Sequence, residues 1–201
     1  MITDNRFLQQ SDSRLDFFRC FLQKPQQVGS AFPSSRFLER RVVTLAGLRK
    51  ARTVVELGPG TGGITNAALR ELPPSSNLLS IEINHRFVSI LRRCSDPRLL
   101  VHHGCAANLR EILHYYQLPQ PEVVISGIPF SNISRGKGQR IIEEIHTALS
   151  PNGSFIAYQV RDLVSKLGRS FFGNAEVLRV FCNIPPLRIY RWRKKTCRND
   201  I

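Results

Sequence analysis

The sequence lacks paired cysteines, metal-ligand spacings and long apolar runs, and each absence excludes a class of protein. No 18 apolar residues occur together, so a membrane-spanning helix is not expected. The five cysteines are scattered and contain no C-x-x-C pair, which argues against a disulfide framework or a zinc site. The five histidines show no H-E-x-x-H spacing, so we predict no metal. The first residues, MITDNRFLQQ, lack the pattern of a secretion signal, and we therefore expect a cytoplasmic protein.

Acidic residues are scarce mainly at the two ends of the chain. The 201 residues include 29 Lys and Arg against 15 Asp and Glu. Residues 1–52 carry 10 basic and 4 acidic side chains, residues 53–160 carry 9 and 8, and residues 161–201 carry 10 and 3. Basic flanks predict a polyanionic partner, which is either an anionic membrane surface or a nucleic acid. A solvated surface with a disordered basic tail is the alternative.

Apolar strand-like runs alternate with helical stretches through the middle of the chain. The runs are TVVEL, LLSIEI, RLLVHH, EVVISGI and GSFIAYQV, and helices are predicted to open near Thr61, His85, Ala106 and Ser134. This alternation predicts an α/β fold with a mainly parallel sheet covered by helices on both faces. AEVLRVF and PPLRIYRWR predict two more strands that form an antiparallel edge. Ligands of such sheets bind beyond the carboxyl ends of the strands.

The predicted organisation has three parts. Residues 1–50 form amphipathic helices near 13–23 and 35–50, residues 51–195 form the sheet domain, and residues 196–201 form a basic tail. The stretch 13–25 places Leu15, Phe18 and Leu22 on one helical face among basic residues. Such a helix lies in a bilayer interface or docks on its own domain as a lid, and the pattern alone favours neither.

The stretch VVELGPGTGGIT, residues 54–65, joins the first predicted strand to a helix through a glycine-rich turn. Its Gly58, Gly60 and Gly63 also match the dinucleotide fingerprint, so a nicotinamide cofactor is one alternative. Glu56 argues against it, because a carboxylate two residues before the turn repels a pyrophosphate. The same carboxylate attracts the cationic sulfonium and ammonium groups of S-adenosylmethionine, which we therefore predict as the cofactor.

Glu82 ends the next strand in LLSIEIN, 22 residues beyond Gly60. A carboxylate there accepts hydrogen bonds from both ribose hydroxyls, a feature that both cofactors share. The alternative for Glu82 is a charge that stabilises the start of the helix at His85.

The sequence resembles the class I S-adenosylmethionine-dependent methyltransferases, with VVELGPGTGGIT as the first motif and LSIEIN as the second. Three more pieces, FLQKPQQVGSAFPSSRFLERRV, ISGIPFSN and NIPPLRIYRWR, resemble the bacterial phospholipid N-methyltransferases that act on phosphatidylethanolamine. The resemblance implies a Rossmann-like fold, an amine-bearing phospholipid as substrate, and association with the inner face of the membrane. The residues it implies for cofactor binding are Ser34, Ser35, Glu56, Gly58, Gly60, Gly62, Glu82, Ile83, Cys105, Ala106 and Ser126.

One position departs from that family. After the third strand the family usually reads Gly-Asp-Ala, and here the residues are Gly104, Cys105 and Ala106. The adenine amino group then loses its carboxylate partner, and we expect weaker cofactor binding. The alternative is that Cys105 is simply a small buried residue.

The segment SGIPFSN, residues 126–132, follows the fourth strand, where the resemblance places the methyl acceptor. The residues implied for catalysis are Ser126, Gly127, Pro129, Phe130 and Tyr158. Phe32, and more weakly Tyr115 and Tyr116, are further aromatic candidates around a methylated cation. An ordinary turn with a packed ring is the alternative for Pro129 and Phe130.

Two other functions stay open. Basic flanks also fit an RNA adenine dimethylase, but Gly127 stands where those enzymes have the Asn of Asn-x-Pro-Tyr/Phe, which favours a lipid or small-molecule amine. A non-catalytic cofactor-binding or membrane-binding protein would explain the missing carboxylate at position 105.

Overall fold

A computed structural model describes residues 35–180 and 186–195 of the chain. The strands are Thr53–Leu57 (β1), Asn77–Glu82 (β2), Leu99–His103 (β3), Val123–Ser126 (β4), Ser154–Gln159 (β5), Glu176–Val180 (β6) and Leu187–Arg193 (β7). The helices are Arg36–Ala46 (α1), Gly63–Glu71 (α2), His85–Leu91 (α3), Leu109–Tyr115 (α4), Arg135–Ala148 (α5) and Leu163–Phe172 (α6). The predicted α/β class is confirmed. The helix predicted within 13–25, with Phe32 and Ser34, lies outside the described residues.

The strands form one seven-stranded sheet in the order β3-β2-β1-β4-β5-β7-β6. β1 to β5 pair in parallel, whereas β7 pairs antiparallel with both β5 and β6. The predicted antiparallel edge is therefore confirmed. The chain runs outward from β1 to β3 and then returns to the other side of β1 as β4, and ligands of open α/β sheets bind at such a reversal of strand order.

Neighbouring residues of β1 belong to two different cores, because side chains alternate across a strand. Val54 packs in one core with α1 and α2, and Val55 packs in the other with α4, α5 and α6. Leu38 and Val42 of α1 are almost fully buried in the first core beside Ile64 of α2. Helix α1 therefore shares its core with the sheet across the boundary predicted near residue 50.

Most predicted elements appear close to their predicted positions, with one exception. Asn84 and Ser134 cap α3 and α5 by accepting backbone N–H bonds from Arg86 and Lys137, as their residue types predict. Helix α6 was not predicted. No helix in the described ranges combines the length and the apolar character needed to cross a bilayer.

Candidate cofactor and acceptor site

Three glycine turns leave the sheet at the carboxyl ends of β1, β3 and β4. The amide of Gly58 donates to the carbonyl of Ile81 at 2.9 Å, and that of Gly127 donates to Leu57 at 2.8 Å. The amide of Gly104 donates to the backbone carbonyl of Glu82 at 3.0 Å. These bonds hold the three turns around one cavity of about 180 Å³. The cavity thus lies where the strand order reverses.

The turn after β1 needs glycine for its conformation and for its space. Gly58 and Gly60 have φ angles of 70° and 58°, in the left-handed region that glycine adopts without strain. A Cβ atom on Gly58 would lie 3.2 Å from the side chain of Ile128 and 3.3 Å from its amide nitrogen. Both glycines line the cavity, so a ligand can approach their backbone closely.

Glu82 presents a fixed carboxylate to this cavity. Its side chain is buried, and its two oxygens accept backbone N–H bonds from Asn84 at 2.9 Å and from Gly60 at 3.1 Å. Burial raises the pKa of Glu82, while these backbone donors lower it. Each oxygen keeps a lone pair for one more donor. The arrangement fits the two hydroxyls of a ribose.

Glu56 does not line the cavity, which corrects its predicted exposure to a ligand. It is 1% exposed behind the glycine turn, and its Oε2 accepts hydrogen bonds from Thr65 at 2.6 Å and Ser80 at 3.0 Å. Its Oε1 has no partner among the described residues. Burial raises the pKa of Glu56 to about 7. Glu56 Oε1 is thus a buried acceptor without a donor, separated from the cavity by the glycine turn. This arrangement fits a cofactor whose cationic group binds on the cavity side of that turn.

The far wall of the cavity holds the residues predicted for the adenine. Ile83, Cys105 and Ala106 all line it. Ile83 is 63% exposed, so its side chain is available to pack against a flat ligand ring. The Cys105 thiol is free and half-buried. Among the described lining residues Glu82 is the only carboxylate, so none replaces the acid that Cys105 lacks.

The acceptor segment divides into residues that reach the cavity and residues that do not. Gly127 and Pro129 line it. Ser126 is fully buried, and its hydroxyl accepts a hydrogen bond from the Ile128 amide at 3.3 Å. Phe130 was expected beside the acceptor, but its ring is fully buried in the core of α5 and α6. Tyr158 does not line the cavity, yet a Cβ on Gly127 would overlap the Tyr158 hydroxyl.

Four other predicted residues have structural positions away from the cavity lining. Ser35 caps α1, accepting a hydrogen bond from the Leu38 amide at 3.2 Å. Gly62 starts α2 with φ 87°, and a Cβ there would lie 3.0 Å from Leu91. Tyr115 and Tyr116 pack edge-on with each other, 5.0 Å between ring centroids, on the side of the outer strand β3.

Sequence reasoning missed several lining residues, chiefly Asn84, Phe87, Ile128, Asn132, Ile133, Lys137 and Ile141. Asn84 and Ile128 each directly follow a predicted site residue, so their position just after a strand is the signal that could have identified them. The others come from helices and from the loop before α5, where no local pattern marks them. Within the described ranges, no three His, Cys, Asp or Glu side chains come together as metal ligands would.

No protein-family profile matches the chain. It is 27% identical over 179 residues to the ornithine lipid N-methyltransferase of Singulisphaera acidiphila, covering 87% of this chain and 92% of that protein. It is 34% identical over 119 residues to the ribosomal RNA small subunit methyltransferase A of a Wolbachia from Brugia malayi, covering 57% of this chain and 43% of that protein. The chain therefore spans under half of that ribosomal RNA enzyme.

Among solved structures, the N-methyltransferase NodS of Bradyrhizobium japonicum in complex with S-adenosyl-L-homocysteine matches with a TM-score of 0.67. The match covers 90% of this chain and 98% of NodS at 12% identity, so it speaks for the fold. The chain has the class I S-adenosylmethionine-dependent methyltransferase fold, and the proteins it resembles in sequence and in structure are methyltransferases.

Proposed function

We propose that this chain is an S-adenosylmethionine-dependent N-methyltransferase whose acceptor is the amine of a membrane lipid headgroup. The observation that carries the proposal is the lack of space at Gly127. A Cβ there would overlap the Tyr158 hydroxyl and lie 2.8 Å from the Gly58 carbonyl oxygen. An asparagine side chain, which adenine dimethylases use at this position, does not fit. The acceptor is therefore a group that needs only backbone partners, as a small aliphatic amine does.

The cofactor half of the site supports the same reaction. Gly58 and Gly60 admit the cofactor's amino-acid end, Glu82 accepts from its ribose, and Ile83, Cys105 and Ala106 surround its adenine. When bound, S-adenosylmethionine supplies an electrophilic methyl group. The chain's own contribution is alignment, because displacement at a methyl carbon depends mainly on the position of the amine lone pair.

The relative that covers nearly the whole chain acts, by its name, on an aminolipid. The match to the ornithine lipid enzyme covers 87% of this chain, whereas the ribosomal RNA match covers 57% of it. Ornithine lipid and phosphatidylethanolamine both carry a primary amine beside an acidic group. We propose this shared chemistry as the substrate class.

A membrane surface is the proposed partner and the inner leaflet the proposed location. Exposed basic side chains lie at the site on α5, namely Lys137 on the cavity lining and Arg135 two residues before it. Anionic lipids attract such residues by about 1 kcal/mol per basic side chain near the surface.

RNA adenine methylation is the second candidate, because several relatives are named as ribosomal RNA small subunit methyltransferases. These matches leave more than half of each relative uncovered. Position 127 has no space for the asparagine side chain of the adenine dimethylases, which argues against an adenine acceptor.

A single assay separates these functions. The purified full-length protein is incubated with labelled S-adenosylmethionine and one of three acceptors: vesicles containing phosphatidylethanolamine, vesicles containing ornithine lipid, or small-subunit ribosomal RNA. Mass spectrometry then looks for increments of one to three methyl groups. We expect methylation of at least one aminolipid and none of the RNA. Methylated adenine in the RNA, with unmodified lipids, would overturn the proposal.

A further inference from the structure

Gln159 holds the loop that lines the acceptor end of the cavity. It is the last residue of β5 and is 6% exposed. Its Nε2 donates to the carbonyl of Ile128 at 2.7 Å, and its Oε1 accepts from the amide of Phe130 at 3.3 Å. The two bonded residues flank Pro129, which has no N–H to donate. One carboxamide therefore fixes the backbone on both sides of Pro129.

Strand register explains why this position needs such a side chain. The last pair of the β4–β5 ladder is Ser126 with Ala157. Two residues further on, Gln159 stands opposite Ile128, where the ladder would continue if β4 did not end. The backbone of Gln159 is held instead on its other side, where it pairs with Arg188 of β7. The Gln159 carboxamide thus replaces the peptide group that a longer ladder would supply.

The bonds within the loop leave one carbonyl for a ligand. The Ile128 carbonyl accepts from Gln159, and the Pro129 carbonyl accepts from the Asn132 amide at 2.9 Å. The Gly127 carbonyl has no donor among the described residues. It belongs to a residue that lines the cavity beside the Gly58 carbonyl and the Tyr158 hydroxyl. An amine bound there finds an acceptor whose position depends on the neighbouring peptide of Ile128.

We propose that Gln159 is a positioning residue for methyl transfer, which sets the Gly127–Phe130 backbone so that the Gly127 carbonyl holds the acceptor amine. The inference rests on the proposed function for its catalytic consequence, though not for the loop contact itself. Gln159 touches neither reactant. Its loss therefore lowers turnover through misalignment and leaves cofactor binding, which uses the turns after β1, β2 and β3, largely intact.

The first test compares Gln159→Leu with Gln139→Leu, the same substitution at an exposed position of α5. We expect Gln159→Leu to lower kcat by about 10- to 100-fold, as small misplacements of reacting groups do. S-adenosylhomocysteine affinity by calorimetry should change by less than about threefold, in keeping with a contact outside the cofactor turns. Gln139→Leu should match the wild type in both. Wild-type kcat in Gln159→Leu would overturn the proposal, as would loss of cofactor affinity in step with kcat.

In a second variant, low pH should restore a hydrogen-bond donor in place of the Gln159 Nε2–H. Gln159→Glu keeps an acceptor for the Phe130 amide but loses the Nε2–H donor unless the new acid is protonated. The ratio of variant to wild-type kcat should therefore rise as the pH falls, and a constant ratio would contradict the donor role. A merely space-filling side chain predicts no such pH dependence.

Amide hydrogen exchange tests the contact without any turnover. The Phe130 N–H should lose protection in Gln159→Leu and keep it in Gln139→Leu. If the wild type methylates no aminolipid but this protection pattern holds, the substrate assignment fails and the loop contact stands. If protection at Phe130 is unchanged, the positioning role is wrong whatever the substrate.

Discussion

At the residue scale, the buried charge of Glu56 destabilises the folded protein, and the same charge is predicted to attract the cationic groups of the cofactor. Its folded-state pKa of about 7 lies above the ordinary value of 4.5. Between those values the folded protein holds a proton that the unfolded chain releases, so this contribution to stability is full below about pH 4.5 and is lost as the pH rises through about 7. Above pH 7 the buried charge costs on the order of 3 kcal/mol.

Glu56→Gln should consequently raise the free energy of unfolding at pH 8 while weakening S-adenosylmethionine binding. The stabilisation should be about 1–3 kcal/mol at pH 8 and should shrink toward zero at pH 5. Urea unfolding and calorimetric titration at both pH values measure the two effects. The affinity of the wild type for S-adenosylmethionine should rise with pH through about 7, and the variant should lack that rise. Both proteins contain Glu82, so a difference between them reports on Glu56. Equal destabilisation at both pH values would show that Glu56 is not a buried acid of raised pKa.

Gly127 is the second residue whose substitution gives a sharp result. Gly127→Ala places a methyl group against the Gly58 backbone and the Tyr158 hydroxyl, and we expect methyl transfer to fall by about 100-fold. The control is Gly136→Ala on α5, where a Cβ meets no atom within 4 Å. Adding Tyr158→Phe to Gly127→Ala should recover little activity, because the backbone contact remains. Full activity of Gly127→Ala with lipid would remove the basis for excluding an adenine acceptor. Initial rates with vesicles measure all three variants.

At the scale of elements, the strands and most helices could be predicted because their signals are local. TVVEL and LLSIEI are short apolar runs that end in turns, and Ser134 is a capping residue before an amphipathic stretch. Helix α6 was missed for a reason that is not local. Its Gly168 weakens helical propensity, and only the folded structure explains it: a Cβ there would lie 2.9 Å from the ring of Trp192 on β7.

The residues of the candidate site also divide into those with a local sequence signal and those without one. Gly58, Gly60 and Glu82 were found because a strand–turn–helix pattern marks them, and Gly127 because it follows a strand. Phe130 and Glu56 were misplaced because sequence does not say whether a side chain faces the cavity or the layer behind it. Gln159 was missed because its partners lie 31 and 29 residues away, on a loop after another strand.

The start of α1 offers a test of two roles for one residue. Ser35 was predicted to bind the cofactor, and in the structure it caps α1. Ser35→Ala should lower the free energy of unfolding by about 1 kcal/mol, and Ser35→Asp should restore it, because aspartate caps equally well. If capping is the whole role, S-adenosylhomocysteine affinity stays at the wild-type value in Ser35→Asp. A folded, fully stable Ser35→Asp protein that binds the cofactor weakly would show direct contact with the cofactor.

At the scale of the whole molecule, charge and chemistry occupy different parts of the chain. The near-neutral middle, residues 53–160, holds every described cavity residue, and the basic excess lies before and after it. We propose that the flanks contribute to binding a membrane surface rather than to methyl transfer itself. On this view, binding to a surface and binding of the cofactor can be lost separately.

The last prediction uses that separation. Wild-type protein should sediment with anionic vesicles, and raising the salt from 0.1 M to 1 M should weaken this association, because the screening length falls from about 10 Å to about 3 Å. Phe18→Glu should reduce sedimentation sharply by placing a charge in the apolar layer, with cofactor affinity unchanged. The matched variant is Phe37→Glu on α1, where the ring is 42% exposed and Arg41 lies over it at 5.3 Å; it should sediment nearly as the wild type does. If Phe18→Glu loses cofactor affinity yet still sediments with vesicles, the segment 13–24 is a lid over the site and the membrane contact lies elsewhere.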